Sequence, residues 1–553
     1  MAVKVTLQLI LKWKYLRYLA VVFIFFTIVS WLLLISPSHH PSLAPQFDRP
    51  GHRFQPRRQH GKNDHYGMVI DAGSSGSRLY IYRWPPHSGR RGELLQIQPA
   101  TNDRKVILVK RISPGLATLL NQPSKIMNQM KELLDFAKEA IPVEKHRETV
   151  LYLLATAGMR LLSVNDQNFI LNTIRQYVPK HFPFHFPASH ACVISGKLEG
   201  IYSWIAVNYM LGRFSHGPSP NNTTTDIPHL PTVGILEMGG FSTQLAFELP
   251  STHDTSSSSL IEINLGCDAH DTSHQYFVFV STFLKHGTNM VRQRYVSRLI
   301  MQLKKENKSL SWIRDPCLPF RASEVITHGQ KDIKVTGSGN FEYCRSSVLP
   351  LLNMTSYCRT KLCTINGIAL PEYAFWANEF WGLSAYYYTL ERTLKIENNY
   401  SFEKLKARAA TFCSRPWQSI AKDHAIGRYG NVNQNILKHQ CFKAAWISAV
   451  LHDGHHFPKK DLNFKFSNLI KGRVVQWTLG ALLHRARFLP LRDMQQHSIS
   501  KSFSRLQNKW KAFIVFREWE AKIVFVICLL AVVLTVIIYG RSLQKVKKNW
   551  ILF

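Results

Sequence analysis

Two uncharged apolar runs bracket a long stretch in which short apolar strands alternate with helical stripes. Residues 18–35 (YLAVVFIFFTIVSWLLLI) and 523–539 (IVFVICLLAVVLTVIIY) carry no charge. Each approaches the length that crosses a hydrocarbon core of about 30 Å as a helix. Lys4, Lys12, Lys14 and Arg17 precede the first run, and Arg541, Lys545, Lys547 and Lys548 follow the second. Positive charge stays on the cytoplasmic side, so both tails, 1–17 and 540–553, are expected there, with everything between the runs on the far side. The first run reads as a span rather than a cleaved leader, because Ser-Pro-Ser-His-His follows it without a clear small-residue cleavage site. Residues 36–62, rich in Pro, His, Arg and Gln, read as a solvated stalk.

Beyond the stalk the pattern turns to strands. Gly67-Met-Val-Ile-Asp71 is a short apolar strand ending in an acid, Gly73-Ser-Ser-Gly-Ser77 a turn, and Arg78-Leu-Tyr-Ile-Tyr82 a returning strand. The same arrangement recurs 166 positions later, as Gly234-Ile-Leu-Glu237, Met238-Gly-Gly-Phe-Ser242 and Thr243-Gln-Leu-Ala-Phe-Glu248. Between the copies, Val150-Leu-Tyr-Leu-Leu-Ala155 is another apolar strand, leading into Thr156-Ala-Gly-Met-Arg160. The segment from Glu199 to Asn208 has helical apolar spacing, with Glu199 near the helix start. Polar loops are expected at 217–226 and 251–259. Two copies of strand, acid, glycine turn and strand imply two related α/β halves facing one another.

Composition narrows the partners. The 553 residues are 45% apolar, enough for a large core, and 69 Lys plus Arg against 35 Asp plus Glu give a net charge of +34. Such an excess fits nucleic acid, acidic lipid or a small polyanionic substrate. The basic residues are spread along the chain, without an arginine-rich arm or zinc-finger spacing, so nucleic acid is set aside. Of nine cysteines, Cys528 falls in the second run, leaving an even number between the runs, as a disulfide-forming compartment favours. Five glycosylation sequons, at Asn221, Asn222, Asn307, Asn353 and Asn399, lie in the same interval.

The two turns carry the candidate chemistry. Small residues let backbone N–H groups approach an anion, and neighbouring hydroxyls add donors. Gly73, Ser74, Ser75 and Gly76 in one turn, and Gly239, Gly240 and Ser242 in the other, could grip a polyphosphate from both sides. Asp71 and Glu237, at the strand ends, would hold a hard divalent cation, Ca²⁺ or Mg²⁺, through its waters. One such turn is commonly no more than a hairpin. Two matched copies favour the binding reading. No GxxxxGK[ST] loop is present.

In order along the chain, Asp71-Ala-Gly-Ser-Ser-Gly-Ser-Arg78, Ala155-Thr-Ala-Gly-Met-Arg160, Gly196-Lys-Leu-Glu-Gly-Ile-Tyr-Ser-Trp204, Gly234-Ile-Leu-Glu-Met-Gly-Gly-Phe-Ser-Thr-Gln244 and Phe380-Trp-Gly-Leu-Ser-Ala-Tyr-Tyr387 resemble the apyrase conserved regions of the nucleoside triphosphate diphosphohydrolase family. Trp477-Thr-Leu-Gly480 resembles a further family segment. Gly76, the 487–493 segment and the two apolar runs are most similar to the two-anchor Golgi and lysosomal branch that includes uridine diphosphatase.

The resemblance implies an actin-like fold of duplicated ribonuclease-H-like domains, with the site in the cleft and a transmembrane helix at each end. The first subdomain would span 63–195 plus about 462–498, and the second 196–461. It further implies hydrolysis of terminal phosphates of nucleoside di- or triphosphates, in the lumen or outside the cell, with a Golgi or endolysosomal membrane ahead of the cell surface. An oligomer is compatible with it. Glu199 matches the general base, Ser242 and Gln244 the groups that position the water, and Thr156 and Ala157 with the glycine turns the phosphate-binding elements. Asp71 and Glu237 match the carboxylates that hold Ca²⁺ or Mg²⁺ through water. The same resemblance pairs Cys317 with Cys344, Cys358 with Cys363 and Cys413 with Cys441, and leaves Cys192 and Cys267 unassigned.

Two positions depart from the family pattern. Glu237 stands where the family has Asp, and Phe241 is bulky within a turn of small residues. They motivate an alternative, a catalytically weakened receptor or scaffold that keeps the fold. A third reading, an actin-fold sugar kinase, conflicts with the disulfide-prone, non-cytosolic topology. Trp381 and Tyr387 could stack a nucleobase, although core positions suit them better.

Overall fold

The computed structural model describes residues 63–489 apart from 88–92, 216–229, 250–258, 267–271, 307–311, 329–330, 359, 361, 372–374, 376–377, 398–399 and 431, together with parts of 526–541. The 18–35 run, the stalk, Cys267 and the sequons at Asn221, Asn222, Asn307 and Asn399 lie outside the described residues. Among the described residues no helix is long and apolar enough to cross a membrane.

Two mixed sheets organise the chain. In the first, β1 (His65–Ala72) and β2 (Ser77–Trp84) form the expected hairpin, and β3 (Gln98–Pro99) and β4 (Val109–Ile112) both pair with β2. β5 (Val150–Ala155) runs parallel to β1, and β6 (Ala191–Val193) parallel to β5. The second sheet begins with the hairpin of β7 (Gly234–Met238) and β8 (Ser242–Glu248) and continues through β9 (Leu260–Asn264) and β10 (Gln275–Leu284). A small sheet of β11 (Trp312–Asp315), β12 (Ser323–His328) and β13 (Lys331–Gly337) follows, then a two-stranded pair, β14 (Cys363–Thr364) and β15 (Ile368–Ala369). β16 (Phe380–Ser384) and β17 (Phe464–Phe466) then complete the second sheet, in the order β17-β16-β7-β8-β10-β9.

Side chains alternate across a strand, and this alternation sorts the core into layers. Met68, Ile70 and Ala72 of β1, with Leu151, Leu153 and Ala155 of β5, face one cluster. It also holds the stripe Ile126, Met130, Leu133, Leu134 and Ala137 of α1 (Pro123–Ala140) and Ile170, Ile174 and Val178 of α2 (Val164–His181). Val69, Tyr80, Tyr152 and Leu154 face the opposite way, into a central layer shared with Ile235, Ala246, Val278 and Val280 of the second sheet. That layer is filled by α3 (Gly196–Leu211), which is buried on nearly all sides because it lies between the two sheets. Ser195 caps its start by accepting a hydrogen bond from the Leu198 N–H at 3.2 Å, and Gly212 ends it at φ 80°.

Beyond the second sheet, α4 (Thr288–Lys305), α5 (Phe341–Val348), α6 (Phe402–Ser414) and α7 (Gln440–Ala449) contribute to a third cluster around Phe247, Phe279 and Phe380. The chain then returns through α8 (Trp477–Ala486), whose Leu479, Ala481, Leu482 and Leu483 join the central layer beside α3. β17 pairs with β16, so the second sheet extends to Phe466. This is the duplicated, actin-like α/β arrangement.

Three disulfides, Cys317–Cys344, Cys358–Cys363 and Cys413–Cys441, tie the second half. These are the pairs that the resemblance implied. Among the described residues Cys192 has no disulfide partner, and Arg485 Nη2 lies 3.6 Å from its Sγ. Asn353 is exposed, and its Nδ2 donates to Asn366 Oδ1 at 3.1 Å.

Candidate active site

The two glycine turns are built alike. In β1–β2, Asp71 pairs with Arg78 and the Gly73 N–H donates to the Gly76 carbonyl at 3.0 Å. In β7–β8, Glu237 pairs with Gln244 and the Gly239 N–H donates to the Ser242 carbonyl at 3.0 Å. Each turn is backed by a glycine where a side chain would not fit. A Cβ on Gly158 would come within 2.8 Å of Ser74 Cα, and one on Gly287 within 2.3 Å of Phe241 N. The absence of a side chain at 287 lets the start of α4 close on the second turn, where the Thr288 and Asn289 N–H groups donate to the Gly239 and Gly240 carbonyls at 2.9 Å.

Both turns line one cleft of about 320 Å³. Of the residues predicted from sequence, Asp71, Gly73, Ser74, Ser75, Thr156, Ala157, Glu199, Glu237, Gly239, Gly240 and Ser242 form its wall. Gly76 does not. It is buried against the Ile112 carbonyl, where a Cβ would approach to 2.4 Å, so it shapes the turn rather than facing an anion. Gln244 stands behind the wall, its Nε2 donating to Ser242 Oγ at 2.9 Å and to Glu199 Oε2 at 3.4 Å. Phe241 also lines the cleft.

Each of the three cleft carboxylates has different company. Asp71 is buried, and Arg78 Nη1 donates to its Oδ2 at 3.2 Å. Burial, followed by the charge of Glu199, lifts its pKa to about 6 against the pull of Arg78. Glu199, in the first turn of α3, forms an ion pair with Arg160. Burial nevertheless raises its pKa above the ordinary glutamate value, with Arg160 opposing. Glu237 accepts hydrogen bonds from Ser203 Oγ and, at 3.5 Å, from Ser384 Oγ. Burial and the charges of Glu199 and Asp71 drive its pKa to about 8, with the two hydroxyls pulling the other way. Three acids in a desolvated cleft, with Glu199 raising Asp71 and both raising Glu237, make a hard, oxygen-only donor set that a divalent cation would stabilise. Among the described residues no group of three His, Cys, Asp or Glu side chains converges closely enough to hold a metal ion directly.

Sequence reasoning missed several wall residues. Arg78, Arg111, Ser203, Asn289, Ser384, Tyr388, Asn468 and Gln476 all reach the cleft. Ser203 had a signal, since it sits one helical turn after Glu199 on the same face. Asn468 and Gln476 had none, being brought in by the returning segment. Trp381 is 9% exposed and packs into the central layer, and Tyr387 does not line the cleft; the neighbouring Tyr388, 46% exposed, does.

Residues 57–502 match the GDA1/CD39 (nucleoside phosphatase) family. The chain is similar to ectonucleoside triphosphate diphosphohydrolase 4 of Homo sapiens, at 37% identity over 88% of this chain and 82% of that protein. It is also similar to the nucleoside-diphosphatase mig-23 of Caenorhabditis elegans, at 36% identity over 80% of this chain and 81% of that protein. Among solved structures, a nucleoside triphosphate hydrolase from Neospora caninum shares the fold, with a TM-score of 0.55 and 17% identity over 77% of this chain and 93% of that one.

Proposed function

Since the chain belongs to the GDA1/CD39 (nucleoside phosphatase) family and is a nucleotide phosphohydrolase, we propose that it releases the terminal phosphate of nucleoside di- or triphosphates with a water activated by Glu199. The observation that carries this reading is the placement of Glu199, held by Arg160 and Gln244, on the wall of a cleft whose other sides are the two glycine turns.

In this reading the turn amides and the hydroxyls of Ser74, Ser75 and Thr156 bind the terminal phosphate. Ser242, oriented by Gln244 Nε2, fixes the attacking water, and Glu199 takes its proton. The water oxygen bonds to phosphorus as the bridging P–O bond breaks, and the leaving oxygen keeps that electron pair. A hydrated Ca²⁺ or Mg²⁺ near Asp71 and Glu237 would neutralise phosphate charge; phosphoryl transfer needs mostly that and positioning. Tyr388 offers its ring to the base at the cleft mouth.

The test is phosphate release by the detergent-solubilised full chain across UDP, GDP, UTP and ATP, with Ca²⁺ or Mg²⁺ and with chelator. Release that chelator abolishes supports the proposal. No release from any nucleotide favours the silent scaffold instead. Two further outcomes are expected in the same assay. Tyr388→Ala should raise KM about tenfold with little change in kcat, as a lost stacking platform does. Gly287→Ala should lower kcat by about 10-fold to 100-fold, because its methyl group displaces the second turn by a fraction of an ångström.

The chain is further proposed to be anchored by the 18–35 and 523–539 runs, with the catalytic part in a Golgi or endolysosomal lumen. Supporting this are the flanking basic residues, the sequons and the disulfides. Glycosidase treatment should increase gel mobility, and protease added outside intact vesicles should trim only the tails. Digestion of the whole chain would refute that topology.

A further inference from the structure

The two hairpins are alike in backbone yet unlike in how they treat their acids. Asp71 faces Arg78 across the β1–β2 ladder and is ion-paired with it at 3.2 Å. At the matching position of the second hairpin stands a glutamate, one methylene longer, opposite the neutral Gln244. Glu199, the third acid, has Arg160. Among the described residues Glu237 has no cationic partner: its two oxygens meet the hydroxyls of Ser203, on α3, and Ser384, at the end of β16. Those hydroxyls come from separate elements and reach different oxygens, so the carboxyl group is fixed in orientation without a counter-cation. Ser384 holds its place at φ 56°, a left-handed conformation that a residue with a side chain adopts only when its surroundings enforce it.

We propose that Ser203, assisted by Ser384, is a positioning residue that aims Glu237 at the cleft cation, and that Glu237 carries more of that cation's binding than Asp71. The inference rests on the cation-dependent reading of the cleft given above. Its reasoning is one of charge and reach. A dication gains most from the acid that the protein leaves uncompensated. The glutamate's additional methylene is what carries its oxygen to Ser203. An aspartate at 237 would fall short of that hydroxyl, so the serine and the glutamate act as a pair.

The experiment reads binding directly, as the rise in melting temperature of the full chain on titration with Ca²⁺ or Mg²⁺ alone, without nucleotide. Loss of a hydrogen-bonding partner of a metal-directed acid costs about 10- to 100-fold in metal affinity. Ser203→Ala should therefore raise the half-saturating cation concentration about tenfold, and Ser384→Gly, which suits the left-handed backbone, by a smaller factor. Glu237→Gln should raise it more than Asp71→Asn. In a Glu237→Asp background, Ser203→Ala should add nothing. Independent, multiplicative effects of Ser203→Ala and Glu237→Asp would overturn the pairing, as would Asp71→Asn proving the costlier change. Cation-dependent hydrolysis without any cation-dependent stabilisation would overturn this inference and leave the enzymatic reading standing. The expected coupling in a chain that hydrolyses no nucleotide would do the reverse.

Discussion

Glu199→Gln is expected to lower the kcat for phosphate release by about 10²- to 10⁴-fold, the range that a general base contributes, while nucleotide KM changes by no more than about threefold. Glutamine keeps the length and one hydrogen-bonding oxygen of the side chain but cannot take a proton from water. It also leaves Arg160, whose side chain is 12% exposed, without its counter-charge. The pH profile separates these effects. Burial raises the Glu199 pKa above the ordinary value, and the base must be ionised to act. Wild-type kcat/KM should therefore rise with pH through an acid limb above the usual glutamate range, and the residual activity of the variant should lack that limb. A variant hydrolysing nucleotides at the wild-type rate would show that another group is the base.

The largest effect on stability is expected at Arg292, in α4. Its Nη2 lies 2.6 Å from Asp315 Oδ2 and 2.8 Å from Glu324 Oε1, with all three side chains largely buried. Tyr295 donates to Asp315 at 2.9 Å, and His439 lies 2.8 Å from Glu324. Burial pushes the Glu324 pKa upward, but His439 and Arg292 outweigh it and hold the group at about 2. Arg292→Met leaves Asp315 without its cation and Glu324 with His439 alone, and breaking a buried pair in this way costs about 3–5 kcal/mol. The check is urea unfolding followed by tryptophan fluorescence at neutral pH, and a loss below about 1 kcal/mol would contradict the assignment. Because the folded pKa of Glu324 is depressed, its contribution to stability is complete above the ordinary glutamate value and disappears as pH falls toward 2. The gap between wild type and variant should narrow over that window. Activity should suffer as well, since the start of the same helix braces the Gly239–Ser242 turn.

What could be read in the sequence and what could not divide along physical lines. The hairpins at Asp71 and Glu237 were legible because strand, acid and glycine turn are local and occur twice. β5 and the start of α3 were legible because their apolar periods are uninterrupted. The residues that finish the site belong to no local pattern. Ser384, Tyr388, Asn468 and Gln476 reach the cleft through parallel pairing of β16 with β7 and through the returning segment, which join positions more than a hundred residues apart. Trp381 and Tyr388 show why composition misleads: a period of two along β16 turns Trp381 into the central layer. The segment 387–393 then winds as a π-helix, whose side-chain directions follow neither the strand nor the usual helical period. Arg160 lay in a recognised motif, but its partnership with Glu199 spans 39 residues and two elements.

The central helical layer also sets an order of events during synthesis. It joins Val69 to Ala486, so the layer over one face of the amino-terminal sheet stays incomplete until α8 leaves the ribosome, about 400 residues later. At about 5–20 residues per second that is a delay of roughly 20–80 s. During this interval Val69, Tyr80, Tyr152 and Leu154 are open to chaperones and to aggregation. A message truncated anywhere before codon 477 would thus yield a nascent chain that cannot seal itself, however complete its catalytic residues.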